Sequence, residues 1–328
     1  MKSKTILTTG MLIAAATLAH SATMKAIVVH QYGGPEVLKY EDAPRPEPKE
    51  NQILVRVIAA GVNPVDTYVR SGKFGAATLP LIPGRDIAGI VEEVGPGATK
   101  FKKGDAVYGN VRNGGYAEFA VAVEKDIALK PAALDFVEAA AVPVAARTAW
   151  NALVETAHLG AGQTVLIQGG SGGVGSFAIQ IAKVRGAKVF ATASTGNQDL
   201  LKELGADVAI DYTKQKFEDV VKNVDVVLET AGKETLERSY PVVKKGGYLV
   251  SIVGPTDPAK VQQYGIQAPP LALSASALSE LTKLFDAKKI KVVVTETLPL
   301  SEAQKAQEQV GTHHTRGKIV LKVGDEKK

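Results

Sequence analysis

One stretch constrains this chain more than any other: Gly170-Ser171-Gly172-Gly173-Val174-Gly175, a GxGxxG run. The apolar residues Val165-Leu166-Ile167 precede it and read as a buried strand, and residues 177–183 follow with helical periodicity. A turn of this kind gathers unpaired N–H groups and the positive end of a helix dipole at one point, where they hold phosphate. In that arrangement Gly170 permits the tight turn, Gly172 lets the backbone approach a pyrophosphate, and Gly175 lets helix and strand pack closely. The alternative, a Gly-rich connector without a ligand, requires neither the strand before it nor the helix after it.

The residues on either side fit a doubly wound α/β domain. Strands are expected at 164–168, 188–193, 208–211, 225–229, 248–253 and 266–273, with helices at 175–185 and 198–204. Such alternation argues for βαβ units and a parallel sheet. A site that takes NAD(H) ends its second strand with Asp or Glu, which binds the ribose 2′-hydroxyl and repels a 2′-phosphate. Here that strand ends at Ala193, Ser194 and Thr195 follow with hydroxyl groups, and Lys202 lies a few residues beyond. NADP(H) is therefore the expected cofactor, with Asp199 and the lack of an adjacent Arg pulling the other way. Ser194 and Thr195 also suit the cap of a helix beginning near Gln198, and the two roles are compatible.

The chain before this domain has a different character. Short segments rich in Val and Ile at 27–29, 52–59, 87–94, 105–108 and 116–123 read as strands, and the three prolines of Ala43-Pro44-Arg45-Pro46-Glu47-Pro48 force an extended connector. Asp135, with Glu138 three residues on, marks a helix start, and helical periodicity runs through 139–146 and 147–157 with a break at Pro143. A helix at 276–287, a strand at 291–295, a helix at 301–310 and a strand at 318–323 close the chain. A length of 328 residues suits about two domains.

Composition removes several function classes. The chain has no cysteine, so a disulfide, a thiolate metal site and a cysteine nucleophile are all excluded. Its net charge is +5, but only Lys102-Lys103 and residues 322–328 hold a local excess, which argues against a nucleic-acid partner. No segment is long and apolar enough for a membrane span. Residues 1–23 stand apart: Lys2 and Lys4, then an apolar stretch at 6–18, then Ala19-His20-Ser21, in the order of a secretory signal peptide. They predict a periplasmic or secreted protein; the alternative is translation starting at Met24 and a cytoplasmic one.

Taken together, Gly162-Gln163, Leu166, the glycine run, Gln180 and Lys183 resemble the quinone oxidoreductase/zeta-crystallin signature of the medium-chain dehydrogenase/reductases. The segments Gly61-Val62-Asn63-Pro64-Val65-Asp66-Thr67-Tyr68, Pro83-Gly84-Arg85-Asp86, Gly114-Gly115-Tyr116-Ala117-Glu118 and Gly317-Lys318-Ile319-Val320-Leu321 fall in that family's order. The resemblance implies a GroES-like, β-rich catalytic domain at 24–143, completed by 292–328, and a six-stranded Rossmann domain at 144–291. It also implies an active site in the cleft between them and a homodimer. Ser194 and Tyr212 match the NADPH-using enone/quinone reductases, whereas the Lys that relatives carry near Gly196-Asn197-Gln198 is missing. Thr148 and Gly254 are expected near the nicotinamide by resemblance alone.

The family's zinc-dependent alcohol dehydrogenases have a Cys where Asn63 stands and Gly-His-Glu where Gly84-Arg85-Asp86 stands. This chain therefore resembles the zinc-free branch, and Arg85 is expected to fill the vacated position by pairing with Asp66 or Asp86. The adjacent His313-His314 do not converge like spaced metal ligands and read as solvated. Hydride transfer without a Lewis acid relies on geometry and on donors placed where negative charge develops, conditions that suit quinones and α,β-unsaturated carbonyls. Asn63 and Tyr68 are the candidate donors; a turn residue before Pro64 and an aromatic packed beneath the cleft are the competing readings. The competing function is a dinucleotide-binding protein without turnover, of the zeta-crystallin kind.

Overall fold

The computed structural model describes residues 22–75 and 78–326, so nearly all of the signal-like segment 1–23 lies outside the described residues. The fold is mixed α/β and its two bodies follow from two kinds of strand. Strand Gln52–Val62, almost continuously apolar and buried, is the axis of the first body. Along one edge it pairs antiparallel with Asp86–Val94. Its other edge is shared: Phe119–Val123 takes Gln52 to Arg56, and Lys318–Lys322 takes Ala59 to Val62. The end of the chain thus completes the sheet begun near its start. Ala106–Asn110, Ile127–Leu129 and Val294–Pro299 extend this sheet to seven strands. A hairpin of Thr23–Val29 and Leu38–Pro44 lies against it, joined by backbone bonds from Ile27 to Tyr116 and between Val29 and Leu81.

The second body is a five-stranded parallel sheet in the order Val208–Asp211, Lys188–Ala193, Thr164–Ile167, Val224–Glu229, Val243–Ser251. The topology reverses at Thr164–Ile167, the strand that feeds the glycine run, and a doubly wound sheet binds its ligand at such a point. Helix Gly173–Val184 covers the sheet, and every residue from Gly175 to Ala182 is buried. Its Phe177 meets Phe285 of helix Ala277–Asp286 edge to face at 6.2 Å.

Besides the strand expected at 116–123, which begins only at Phe119, two expected strands differ from the structure. The sixth Rossmann strand at 266–273 is reduced to a single parallel bridge between Tyr248 and Gln267. Pro269 and Pro270 follow at once and remove the N–H groups a ladder needs. The strand expected at 291–295 begins only at Val294, because the backbone of Lys291 is held by Gln180: its N–H donates to Gln180 Oε1 (2.8 Å) and its carbonyl accepts from Nε2 (3.0 Å).

The chain passes between the bodies through three helical segments. Asp135 caps Phe136–Ala140, accepting from the Glu138 N–H (2.7 Å) while Glu138 reaches back to the Asp135 N–H (3.1 Å). Pro143 opens a new helix, Pro143–Trp150, which widens into a π-helical stretch at Asn151–Thr156. Its first turn is pinned to the first body by the Val144 N–H, which donates to Asp86 Oδ1 (3.0 Å).

Candidate active site

The glycine run forms a turn followed by a helix, as its spacing predicts, with one reassignment of roles. The left-handed residue is Gly169 (φ +68°), one position earlier than expected, and a side chain there would also meet Thr230. Gly170 is instead a packing glycine: a Cβ would lie 2.8 Å from Leu201 and 3.0 Å from Ala191. Gly175 packs as predicted, its Cβ position only 2.3 Å from the Gly169 carbonyl oxygen. Gly172 is the N-cap, with no atom nearer than 3.4 Å to a Cβ built on it. The first helical bond is made by the Ser176 N–H to the Gly172 carbonyl (2.9 Å). The Gly173 N–H is turned to the Gly317 carbonyl in a parallel bridge, and the N–H groups of Val174 and Gly175 have no acceptor within the helix, which leaves them able to hold phosphate.

At the C-terminal ends of strands Lys188–Ala193 and Val208–Asp211, Ser194 and Tyr212 lie side by side, the Tyr212 N–H bonding the Ala193 carbonyl (3.3 Å). Tyr212 is exposed. Ser194 Oγ accepts from Asn197 Nδ2 (3.2 Å), and Thr195 Oγ1 donates to Asp211 Oδ2 (2.7 Å), so both hydroxyl groups are oriented by local bonds. Lys202 pairs with Asp199 (3.6 Å) one helical turn away. Lys214 sits two residues past Tyr212 and pairs with Asp211 (3.6 Å).

Asn63, Asp66 and Asp86 meet in a buried polar cluster of the first body. Asn63 caps helix Pro64–Arg70 and is 2% exposed. Its N–H donates to Asp66 Oδ2 (2.9 Å), and its Nδ2 donates to Asp86 Oδ2 (2.9 Å). Lys318 enters from the closing strand and donates to Asn63 Oδ1 and to the Val62 carbonyl (2.8 Å), with its ammonium 3.8 Å from Asp86. Asp86 Oδ1 also accepts from Asn110 Nδ2 (2.7 Å), and Asn110 Oδ1 accepts from Arg147 (2.5 Å). The phenol of Tyr116 donates to Asp66 Oδ2 (2.9 Å).

Burial dominates the electrostatics of this cluster. It pushes Asp66 up to about 7, with Asp86 adding to the rise and the Asn63 N–H and Tyr116 hydroxyl opposing it. Burial likewise raises Asp86 against the pull of Lys318, and lowers Lys318 against the pull of Asp86 and Asp66. The Tyr116 phenol is held well above its ordinary value by burial and by Asp66.

The expected pairing of Arg85 with Asp66 or Asp86 is not found. The Arg85 guanidinium stacks on the Phe74 ring at 4.9 Å, and the cation beside Asp86 is Lys318. An ammonium faced by a carboxylate and a carboxamide is a donor set that does not fit a divalent cation. Among the described residues no three His, Asp or Glu side chains gather in a way that could hold one. His313 and His314 are exposed, as expected for solvated residues.

The structure brings Asn63 to the glycine run through Lys318. Tyr68, five residues on in the same helix, is 40% exposed and lines an open hollow of about 650 Å³ with Thr67, Ser71, Lys73 and Gln307. Thr148 lies in helix Pro143–Trp150 with Oγ1 turned back to the Val144 carbonyl (2.7 Å). Gly254 follows strand Val243–Ser251 in open space, its carbonyl accepting from Ser251 Oγ (2.8 Å). Sequence reasoning missed Lys318, Asn110 and Arg147. The one available signal was a Lys opening a closing strand with an apolar interior, and its partners lie far away in the sequence.

A parallel Rossmann-like sheet with a glycine-rich turn, packed against a GroES-like body, defines the class of medium-chain dehydrogenase/reductases. Residues 49–132 match the family model described as alcohol dehydrogenase GroES-like domain, and residues 204–321 the one described as zinc-binding dehydrogenase. The chain is 40% identical over 314 residues to the NADPH-dependent alkenal/one oxidoreductase of Arabidopsis thaliana chloroplasts, covering 91% of this chain and 79% of that protein. It is 37% identical to the quinone oxidoreductase of Sus scrofa, covering 90% of this chain and 95% of that one. The solved quinone oxidoreductase of Coxiella burnetii superposes with a TM-score of 0.85 at 35% identity, over 92% of this chain and all of that one. The chain belongs to the quinone/enone reductase family of the medium-chain dehydrogenase/reductases.

Proposed function

We propose that the protein is an oxidoreductase that passes hydride from NADPH to a quinone or an α,β-unsaturated carbonyl with no metal ion taking part. The observation that carries this reading is the contact between the two halves of the site. Gly317 and Lys318 touch the glycine turn on one side and Asn63 on the other. The names of the Arabidopsis and pig relatives support the same chemistry.

NADPH, when bound, supplies the hydride from its dihydronicotinamide. The chain supplies placement. The N–H groups of Val174 and Gly175 hold the pyrophosphate against the backbone of Gly170 to Gly173, while Ser194 and Tyr212 face the 2′-phosphate. Addition of hydride to a conjugated acceptor leaves negative charge on the acceptor oxygen, which needs a donor already in position. One Nδ2 hydrogen of Asn63 remains after Asp86 is served, and the Tyr68 hydroxyl is engaged by no described residue. These two groups are the donors of this reading, with Tyr68 able to return a proton to the enolate or phenolate. Thr148 and Gly254 flank the nicotinamide in it.

The test is NADPH oxidation with a 1,4-quinone and a 2-alkenal after chelator treatment. Turnover supports the enzyme; tight NADPH binding with no oxidation across both acceptor classes supports the non-catalytic alternative.

Two further points belong to the same reading. The parallel sheet ends on Val243–Ser251, bridged beyond only at Gln267, and this edge suits pairing with a second copy; light scattering of the purified protein tests the homodimer. N-terminal sequencing tests the signal-like segment. A mature chain starting at Ala22 or Thr23 supports export to a periplasmic or extracellular site and demands a different reductant there. A start at Met24 supports a cytoplasmic NADPH reductase.

A further inference from the structure

Lys318 occupies two places at once. Its stem passes the glycine turn so closely that a methyl group on Gly173 would lie 3.0 Å from its Cδ. Its ammonium ends on the Val62 carbonyl, on Asn63 Oδ1 and beside Asp86. One residue earlier, the Gly317 N–H donates to the Ser171 carbonyl (2.8 Å). Gly317 holds φ +60°, and a Cβ there would meet the Val293 carbonyl oxygen at 2.2 Å, so the connection tolerates no other residue. Two consecutive residues thus join the phosphate turn of one body to the candidate donor of the other.

We propose that Lys318 is a positioning residue that fixes the orientation of the Asn63 carboxamide and ties it to the glycine turn. The inference rests on the reading of Asn63 as a donor to the acceptor oxygen. A carboxamide can sit in two orientations that exchange its oxygen and nitrogen. Lys318 can only donate and ionised Asp86 can only accept, so together they admit one: Oδ1 toward Lys318, Nδ2 toward Asp86. Without the ammonium, Oδ1 and the Val62 carbonyl lose their donor. Asp86, now a buried carboxylate lacking its cation, takes up a proton and becomes a donor itself. The second orientation then competes, and the spare Nδ2 hydrogen no longer points where the first one places it.

The experiment compares wild type, K318M, K318Q, N63A and K318M/N63A. Methionine keeps the unbranched stem against Gly173, so NADPH affinity, read by fluorescence titration, is expected to stay within about threefold, while kcat falls about tenfold or more. Glutamine retains an N–H and recovers part of that loss. In the N63A background K318M causes no further fall in kcat. A folded K318M with wild-type kcat overturns the proposal, and so do losses that multiply in the double variant. Should K318M fail to fold, K318Q and K318Q/N63A decide by the same rule. A readout independent of turnover is the Asn63 side-chain NH2 pair in a 15N–1H spectrum, assigned by its absence in N63A. It is expected to shift or broaden in K318M and K318Q, and an unchanged pair contradicts the proposal. A wild-type protein that oxidises no NADPH, yet shows this shift, sinks the donor reading and leaves the Lys318–Asn63 coupling standing.

Discussion

The ammonium of Lys318 and the carboxylate of Asp86 lie 3.8 Å apart, 5% and 0% exposed. Each partner is costly to bury alone, and each is tolerable because the other is present. Replacing Asp86 with Ala removes the counter-charge and strips acceptors from Asn63, Asn110 and the Val144 N–H together. D86A is expected to lose about 3–5 kcal/mol of stability in urea unfolding. D86N retains one carbonyl acceptor for Asn110 and Val144, so it is expected to lose less. Equal stability of wild type and D86A would contradict the assignment of Lys318 to this pair.

Two glycines of the turn separate folding from binding. A Cβ at Gly175 would be 2.3 Å from the Gly169 carbonyl oxygen, whereas one at Gly172 finds nothing closer than 3.4 Å. G175A therefore forces the turn off the strand, lowering stability by about 1–3 kcal/mol and NADPH affinity with it. G172A is expected to keep its melting temperature and still bind NADPH more weakly, because the new methyl group occupies the space reserved for phosphate. Thermal melts and fluorescence titration of the pair check both halves.

From the sequence, the cation for the 2′-phosphate is either missing or supplied by Lys202; that side chain pairs with Asp199, and Lys214, paired with Asp211, stands nearer Tyr212 in the chain. K214A is expected to raise KM for NADPH about three- to tenfold and leave KM for NADH unchanged, with K202A having the smaller effect. S194D supplies the acid missing at the end of the second strand and is expected to shift preference toward NADH. Steady-state kinetics with both coenzymes checks the order.

Glu229, fully buried at the end of strand Val224–Glu229, gives a pH signature. Burial pushes it up from an ordinary 4.5 to about 6, against the N–H groups of Ala231 (2.7 Å) and Gly232 (3.1 Å) and the Ser239 hydroxyl. The folded state therefore holds this proton more tightly than the unfolded chain. Its contribution is complete below about pH 4.5 and is lost as pH rises through about 6, a fall of about 2 kcal/mol. E229Q keeps an oxygen for both N–H groups and cannot ionise. The stability of E229Q minus that of wild type is expected to grow across this window and to level off above it, as read by urea titrations at pH 4, 5, 6 and 7.5.

The fold was largely legible because its signals are local. Lys188–Ala193 and Val208–Asp211 begin and end where apolar runs meet turn residues, and Asp135 caps its helix through Glu138, three positions away. Errors arose where tertiary bonds overrode the local pattern. Gln180 captures Lys291 and delays a strand, and Pro269-Pro270 silence another. The phosphate turn could be read from spacing, although the residue that needs a left-handed backbone is Gly169, just outside the motif. Lys318 could not be read, because nothing in a strand-opening Lys reveals that its partners are Val62, Asn63 and Asp86. Arg85 looked the better candidate because the resemblance sets it at the vacated metal position beside Asp86.

The central claim is direct transfer of hydride from NADPH to a conjugated carbon, with the chain's own donors and no metal. Single-turnover reaction of chelator-treated protein with NADPH deuterated at the transferred C4 position and an α,β-unsaturated ketone tests it most directly. The account predicts NADPH oxidation with deuterium on the β-carbon of the saturated ketone. Bound NADPH that persists unoxidised, or oxidation that returns only when a divalent metal is restored, would contradict it.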